Sequence, residues 1–365
     1  MDEPVIVAAR RSAVVPRGGA FAGVELHDLG AAVLHACLDD AGLPADAVDE
    51  VICSNAIGEG GNPARLIALA AGLPDRVAGL SIDRQCVGGL DALMLARALI
   101  RSGQAQAVVT GGAESYSRRP ERRRMGPAGP LAYDQARFTP WPERDPDMSE
   151  AAARLAETLG LDRARQEAWA VDSHARARAA RERLRREIVP LAGVADDPFT
   201  RALTPAVAAR APVLAGTVTT ATTAVSADAA AFCLMLSAPL ARRLGLTGMR
   251  IRAGATRGDR PEMPGLAPVG AARTALETAG LTAADLTTAE VMEAYAVQAI
   301  ACVEGIGLDP ARVNRGGGAL ARGHPIGASG AILAVRLWHE LQAGETGLAA
   351  IAGAGGLGTA LIFDR

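Results

Sequence analysis

The sequence predicts a duplicated α/β fold: two β-α-β-α-β units in tandem, each with its sheet covered by helices on both faces. Three observations predict it. Residues 34–51 (LHACLDDAGLPADAVDEV) and 272–291 (ARTALETAGLTAADLTTAEV) share one pattern: an alanine-rich helix, an Ala-Gly-Leu stop, an acidic turn and a Glu-Val entry into a strand. Each copy follows a short apolar strand, VIVAARR at 5–11 and IRAGATR at 251–257. Each copy precedes a glycine-rich turn, an apolar helix and a strand that ends in glycines.

Along the first half the last of these features are QCVGGLDALMLARALI (85–100) and AVVTGG (107–112). Along the second they are GHPIGASGAILAVRLW (323–338) and GLAAIAGAGG (347–356). Between the halves, residues 116–225 differ in character. The stretch rich in Pro, Gly and Arg at 118–147 has no sustained periodicity and reads as a long excursion. An alanine- and arginine-rich helical stretch follows at 149–188, its arginines forming a solvated face.

Composition excludes several classes of function. All 38 cationic residues are arginine, so Schiff-base chemistry on lysine and any P-loop lysine are ruled out. A formal net charge of -2 offers no electrostatic footprint for nucleic acid or an anionic membrane. Five widely spaced cysteines without a C-x-x-C pair argue against a disulfide framework or a metal site. No signal peptide fits the acidic start, and no apolar run is long enough to span a membrane, so the expected location is the cytoplasm.

The repeat puts two reactive residues at equivalent positions. Cys86 opens the glycine-led helix of the first half, and His324 lies just before the corresponding helix of the second. A helix N-terminus offers unpaired N–H groups and the positive end of the helix dipole, and both favour thiolate. A neighbouring imidazole can take the thiol proton and return it. Pseudo-twofold packing of the halves would bring the two residues together, with N–H groups placed for an oxyanion. Cys37, Cys53, Cys233 and Cys302 read as inert core, and His27, His35, His174 and His339 as surface or helix residues.

The strings DRQCVGGLDA, GGAESYS (111–117), EAYA (293–296), NRGGGALARGHPIGASG (314–330) and GAGGLG (353–358) resemble the thiolase family in order and spacing. The similarity covers essentially the whole chain. It implies the five-layered α-β-α-β-α thiolase fold, with residues 1–115 and about 226–247 as one half. The resemblance makes 116–225 an inserted loop domain and 248–365 the second half. It also implies a coenzyme A thioester as substrate, no permanently bound cofactor, and a homodimer or homotetramer. Cys86 matches the acylated nucleophile, and His324 the histidine that activates it and helps bind a thioester oxygen. Backbone N–H groups of Cys86 and Ala354 match oxyanion donors, and Glu293 and Asn314 are supporting candidates.

Three departures accompany the match. Ala352 stands where the family's C-x-G-G-G-x-G string has a second cysteine that exchanges a proton with the α-carbon. Met292 replaces the asparagine of the Asn-Glu-Ala-Phe string, and Ala224 replaces a serine beside the pantetheine arm. Acyl-enzyme formation should therefore survive while ordinary reversible thiolysis should be poor. The expected activity is transfer of an acyl group from acyl-CoA or an acyl carrier to an acceptor, by decarboxylative condensation or onto a heteroatom. A conventional thiolase with Glu293 or Cys302 as substitute base, and a non-catalytic structural relative, are the alternatives.

Overall fold

A computed structural model describes residues 3–58 and 60–365. The first sheet is built from β1 (Val5–Ser12), β2 (Glu50–Ser54), β3 (Ala78–Ile82), β4 (Ala107–Glu114) and β5 (Ala227–Leu236). They lie in the order β3-β2-β4-β5-β1, with β5 antiparallel to both neighbours. The second sheet repeats the scheme with β6 (Arg250–Gly258), β7 (Thr288–Val291), β8 (Thr346–Gly353) and β9 (Leu357–Asp364), in the order β6-β9-β8-β7. The place of β3 is taken there by one parallel bridge between Ala289 and Val313.

Small irregularities are duplicated too. The β1–β5 ladder shifts register between Ile6 and Ala8, and the β6–β9 ladder between Ile251 and Ala253. The Ala-Gly-Leu signals end α1 (Leu26–Ala41) and α6 (Ala267–Ala279) in the same way. Gly42 and Gly280 adopt φ of 58° and 66°, and the next leucine N–H caps a carbonyl five residues back, Leu43 to Leu38 and Leu281 to Leu276. Only a residue without Cβ turns there at no steric cost.

Five layers result. α1 and α2 (Pro63–Ala70) pack outside the first sheet around Val33, Leu34, Ile67 and Phe232. α6 and α7 (Ala296–Ile306) cover the outer face of the second around Ala275, Leu276, Val303 and Ile362. The middle layer holds α3 (Gly88–Arg101) and α8 (Ile326–Glu340) between the sheets, with Leu90, Leu93, Ile332 and Leu333 in the shared core. These two helices touch backbone to backbone. A Cβ on Gly89 would fall 2.4 Å from Ala331 N, and one on Gly330 would fall 2.6 Å from Leu90 N. That contact draws the N-terminal ends of both helices to the centre of the molecule.

The insertion sits at a hairpin. β8 and β9 are joined directly through residues 354–356, whereas the matching strands β4 and β5 are separated by residues 115–226. The segment 118–147, read from sequence as an irregular excursion, contains an antiparallel ribbon of Arg122–Gly126 and Gly129–Tyr133. It escaped detection because its strands pair only with each other and bury neither face, so no apolar period marks them. α4 (Met148–Leu159) and α5 (Arg163–Ala179) follow and pack on α7.

Buried charge fastens the insertion to both halves. Glu187 of the insertion accepts from Arg11 of β1 at 2.6 Å and from Arg336 of α8 at 2.5 Å, all three fully buried. Arg11 also pairs with Asp197 at 2.8 Å. No helix of the described residues is long and apolar enough to cross a membrane.

Candidate active site

Cys86 precedes α3 on a tight turn in which Gln85 holds the left-handed conformation at φ 51°. A non-glycine residue there is strained, and the neighbouring packing has to hold it. Cys86 is half-buried, whereas Cys37, Cys53, Cys233 and Cys302 are fully buried. His324 is fixed by its own N–H, which donates to Val225 O at 2.8 Å just before β5. Its Nε2 lies 3.2 Å from the Cys86 sulfur.

The other face of the imidazole defines the tautomer. Nδ1 lies 2.7 Å from Ser329 Oγ, and the Ser329 hydroxyl donates to Pro325 O at 2.9 Å. With its proton spent on that carbonyl, Ser329 accepts from Nδ1–H, which leaves a lone pair on Nε2 directed at the thiol. Burial pushes the Cys86 thiol up to about 12, against the pull of the Ala354 and Cys86 N–H groups on the sulfur. Burial also lowers His324 to about 4. The resting pair is therefore neutral thiol and neutral imidazole.

The pair opens into a cavity of about 340 Å³. Tyr116, Ser226, Thr223 and Tyr295 line it with hydroxyls, and Phe138, Met148, Leu155 and Ala224 with apolar surface. Ala352 and Ala354, from the β8–β9 corner, complete the wall beside Cys86. No arginine is among the described lining residues, and Asp147 at the rim is the one carboxylate. Among the described residues no group of three or more His, Cys, Asp or Glu could hold a metal ion.

Glu293 and Asn314 are not on this wall. Glu293 is buried and accepts from Trp169 Nε1 (3.1 Å), Ser173 Oγ (2.7 Å), Asn314 Nδ2 (2.8 Å) and Leu320 N (3.2 Å). Both its oxygens are engaged in joining α5 to the loop before α8. Cys302 is also enclosed, its thiol donating to Gly265 O at 3.2 Å. Two of the histidines outside the site are packed into the fold. His174 is buried and accepts from Arg201 N, and His339 meets Ala9 O at 3.0 Å.

Glu114 was not singled out by the sequence reading. It accepts from Asn55 Nδ2 at 2.7 Å, Ala56 N at 3.0 Å and Gly327 N at 3.0 Å, tying β4 and the loop after β2 to the start of α8. Burial raises this carboxyl to about 7. Its signal was its place in the GGAESYS string at 111–117.

The profile for the N-terminal domain of thiolases matches residues 4–238, and that for the C-terminal domain matches residues 246–365. The chain belongs to the thiolase family. Its thiolase relatives include acetyl-CoA acetyltransferases of Pseudomonas aeruginosa (39% identical) and Cupriavidus necator (37% identical), each matched over the full length of both chains. A Bacillus anthracis acetyl-CoA acetyltransferase of known structure is 32% identical, with a TM-score of 0.92, covering 100% of this chain and 98% of that one. An Ascaris suum thiolase solved in complex with coenzyme A is 27% identical, with a TM-score of 0.93 and full coverage of both chains. The thiolase fold and an acyltransferase class of enzyme follow from these matches.

Proposed function

We propose that this thiolase-family acyltransferase carries its acyl group covalently on Cys86 and passes it on by decarboxylative condensation. The donor is acyl-CoA or an acyl-carrier thioester. The reading is carried by one juxtaposition: a cysteine and a histidine lone pair 3.2 Å apart, facing a wall that presents a methyl group at Ala352. In the first half-reaction His324 Nε2 takes the thiol proton as the sulfur attacks the thioester carbonyl. The N–H groups of Cys86 and Ala354 then stabilise the developing oxyanion. The proton leaves on the departing thiol, and His324 returns to its neutral form.

Claisen condensation at an unactivated α-carbon requires a base against that carbon. Ala352 cannot serve, and Glu293 and Cys302 are engaged elsewhere. A malonyl-type thioester needs no such base, because loss of CO2 leaves its electron pair on the α-carbon. A carboxylate brought against a wall without arginine is poorly solvated, which favours that loss. A second reading, transfer to an amine, alcohol or thiol, is favoured by the free Nε2 lone pair of His324, which suits direct deprotonation of a neutral acceptor. A coenzyme A thioester as donor is supported by family membership and by the coenzyme A in the Ascaris suum thiolase. The proposal extends to a cytoplasmic homodimer or homotetramer; the unpaired edge of β3, with Leu80 exposed, supports assembly.

Intact-protein mass spectrometry after incubation with a panel of acyl-CoA thioesters tests the first step. An adduct is expected on the native protein and none on Cys86→Ala. Adding malonyl-CoA to the isolated adduct should release CO2 and a β-ketoacyl thioester; discharge by amines or alcohols instead supports the second reading. Absence of any adduct, with carrier-protein thioesters included, overturns the proposal in favour of a non-catalytic relative.

A further inference from the structure

The geometry points to Tyr116 as a catalytic residue of the transfer step, its hydroxyl donating a hydrogen bond to the enolate oxygen of the acceptor. The inference rests on the reading of Cys86 as the acyl carrier, and it assigns a role to a side chain that the acylation step does not use.

Tyr116 follows directly on β4, and the chain is fastened on both sides of it. Glu114 is held by Gly327 N and Ala56 N, and on the other side Ser117 N donates to Asp228 Oδ1 at 3.0 Å. The ring between these anchors lines the cavity that holds Cys86 and His324. Ser226 shares that cavity wall and bridges to His324 across the strand edge. Burial and the nearby Cys86 and Glu114 hold the phenol above its usual range. It therefore stays protonated at every working pH.

The transfer step needs such a donor. In the acyl-enzyme, the N–H groups of Cys86 and Ala354 are occupied by the acyl carbonyl. His324 spends its Nδ1–H on Ser329 and carries only a lone pair on Nε2. Of the other hydroxyls, Thr223 donates to Thr219 O at 2.9 Å, and Tyr295 lies against Ser149 of the insertion. When the carbon–carboxylate bond of a malonyl-type acceptor breaks, CO2 leaves and the electron pair moves into the enolate. Tyr116 holds the enolate oxygen while the carbon forms a bond to the acyl carbon of Cys86. The carbon–sulfur bond then breaks, and a proton from solvent, relayed by His324, restores the thiol.

The test separates the two half-reactions of Tyr116→Phe. Adduct formation from the preferred acyl-CoA is followed by mass spectrometry, and discharge of isolated acyl-enzyme by malonyl-CoA is followed by CO2 release. Acylation should stay within about twofold of the native rate while discharge falls by about 100-fold or more, the scale of losing one oxyanion donor. Native discharge in Tyr116→Phe overturns the inference, as does an equal loss in both steps, which would mark Tyr116 as merely structural. If native acyl-enzyme is not discharged by malonyl-CoA, the enolate role falls while the acyl carrier stands. If no acyl-enzyme forms, the reading beneath it falls as well.

Discussion

Glu187 is the point at which the insertion, the first sheet and the central helix layer are joined, and replacing it with glutamine tests that junction. Burial alone would raise its carboxyl, but the buried Arg336 and Arg11 outweigh it and hold the group at about 2, against an ordinary value of 4.5. The difference corresponds to about 3 kcal/mol of native-state stability at neutral pH. Removing one partner of a buried ion pair costs on a similar scale, about 3–5 kcal/mol. The folded value is the lower one, so this stability is complete above the unfolded value of 4.5 and is lost as pH falls towards 2. Of the original contribution, about 2 kcal/mol should remain at pH 3.5. Urea unfolding followed by circular dichroism at pH 7 and pH 3.5 measures the gap between native protein and Glu187→Gln. A gap of about 3 kcal/mol that narrows by about 1 kcal/mol on acidification is expected. A gap below about 1 kcal/mol at pH 7, or one that ignores pH, would refute the clamp.

Three further outcomes are expected. Acylation of Cys86 should rise with pH through about 4 and then level off across neutrality, because His324 accepts the thiol proton only when neutral; stopped-flow acylation across pH checks this. Ser329→Ala should slow acylation by about 10- to 100-fold by releasing Nδ1–H and the ring orientation, with the thermal midpoint little changed. Gly89→Ala should force α3 away from α8, costing about 1–3 kcal/mol and separating Cys86 from His324; the denaturation midpoint and the adduct yield should fall together.

Much of the fold was legible because it is carried by local signals. Ala-Gly-Leu ends α1 and α6 by the same left-handed turn, and the apolar strands that precede them carry the same bulge. The ribbon at 122–133 was not legible, since both of its faces meet solvent and no period distinguishes it from a loop. At the site, the glycine-rich settings marked Cys86 and His324, but Ser329, five residues beyond the histidine, carried no sign of its hydrogen bond to the ring. Glu293 drew notice as the acid of the EAYA string, yet its direction is set by Trp169 and Ser173, more than a hundred residues earlier.

What the sequence by itself determined is the duplicated architecture, a segment of different character at 116–225, and two reactive residues at equivalent helix starts. Backbone preferences and apolar periods act over a few residues, so one chain displays them directly. Only the tertiary structure decided that Cys86 and His324, 238 residues apart, stand 3.2 Å from one another. It also decided that Glu293 faces inward and that Tyr116 reaches the cavity. Those facts depend on where glycine-to-glycine contact lets α3 and α8 meet, and on which side chains the buried charges of the insertion bring against them. Such distances are set by packing between remote segments, and local sequence holds no record of them.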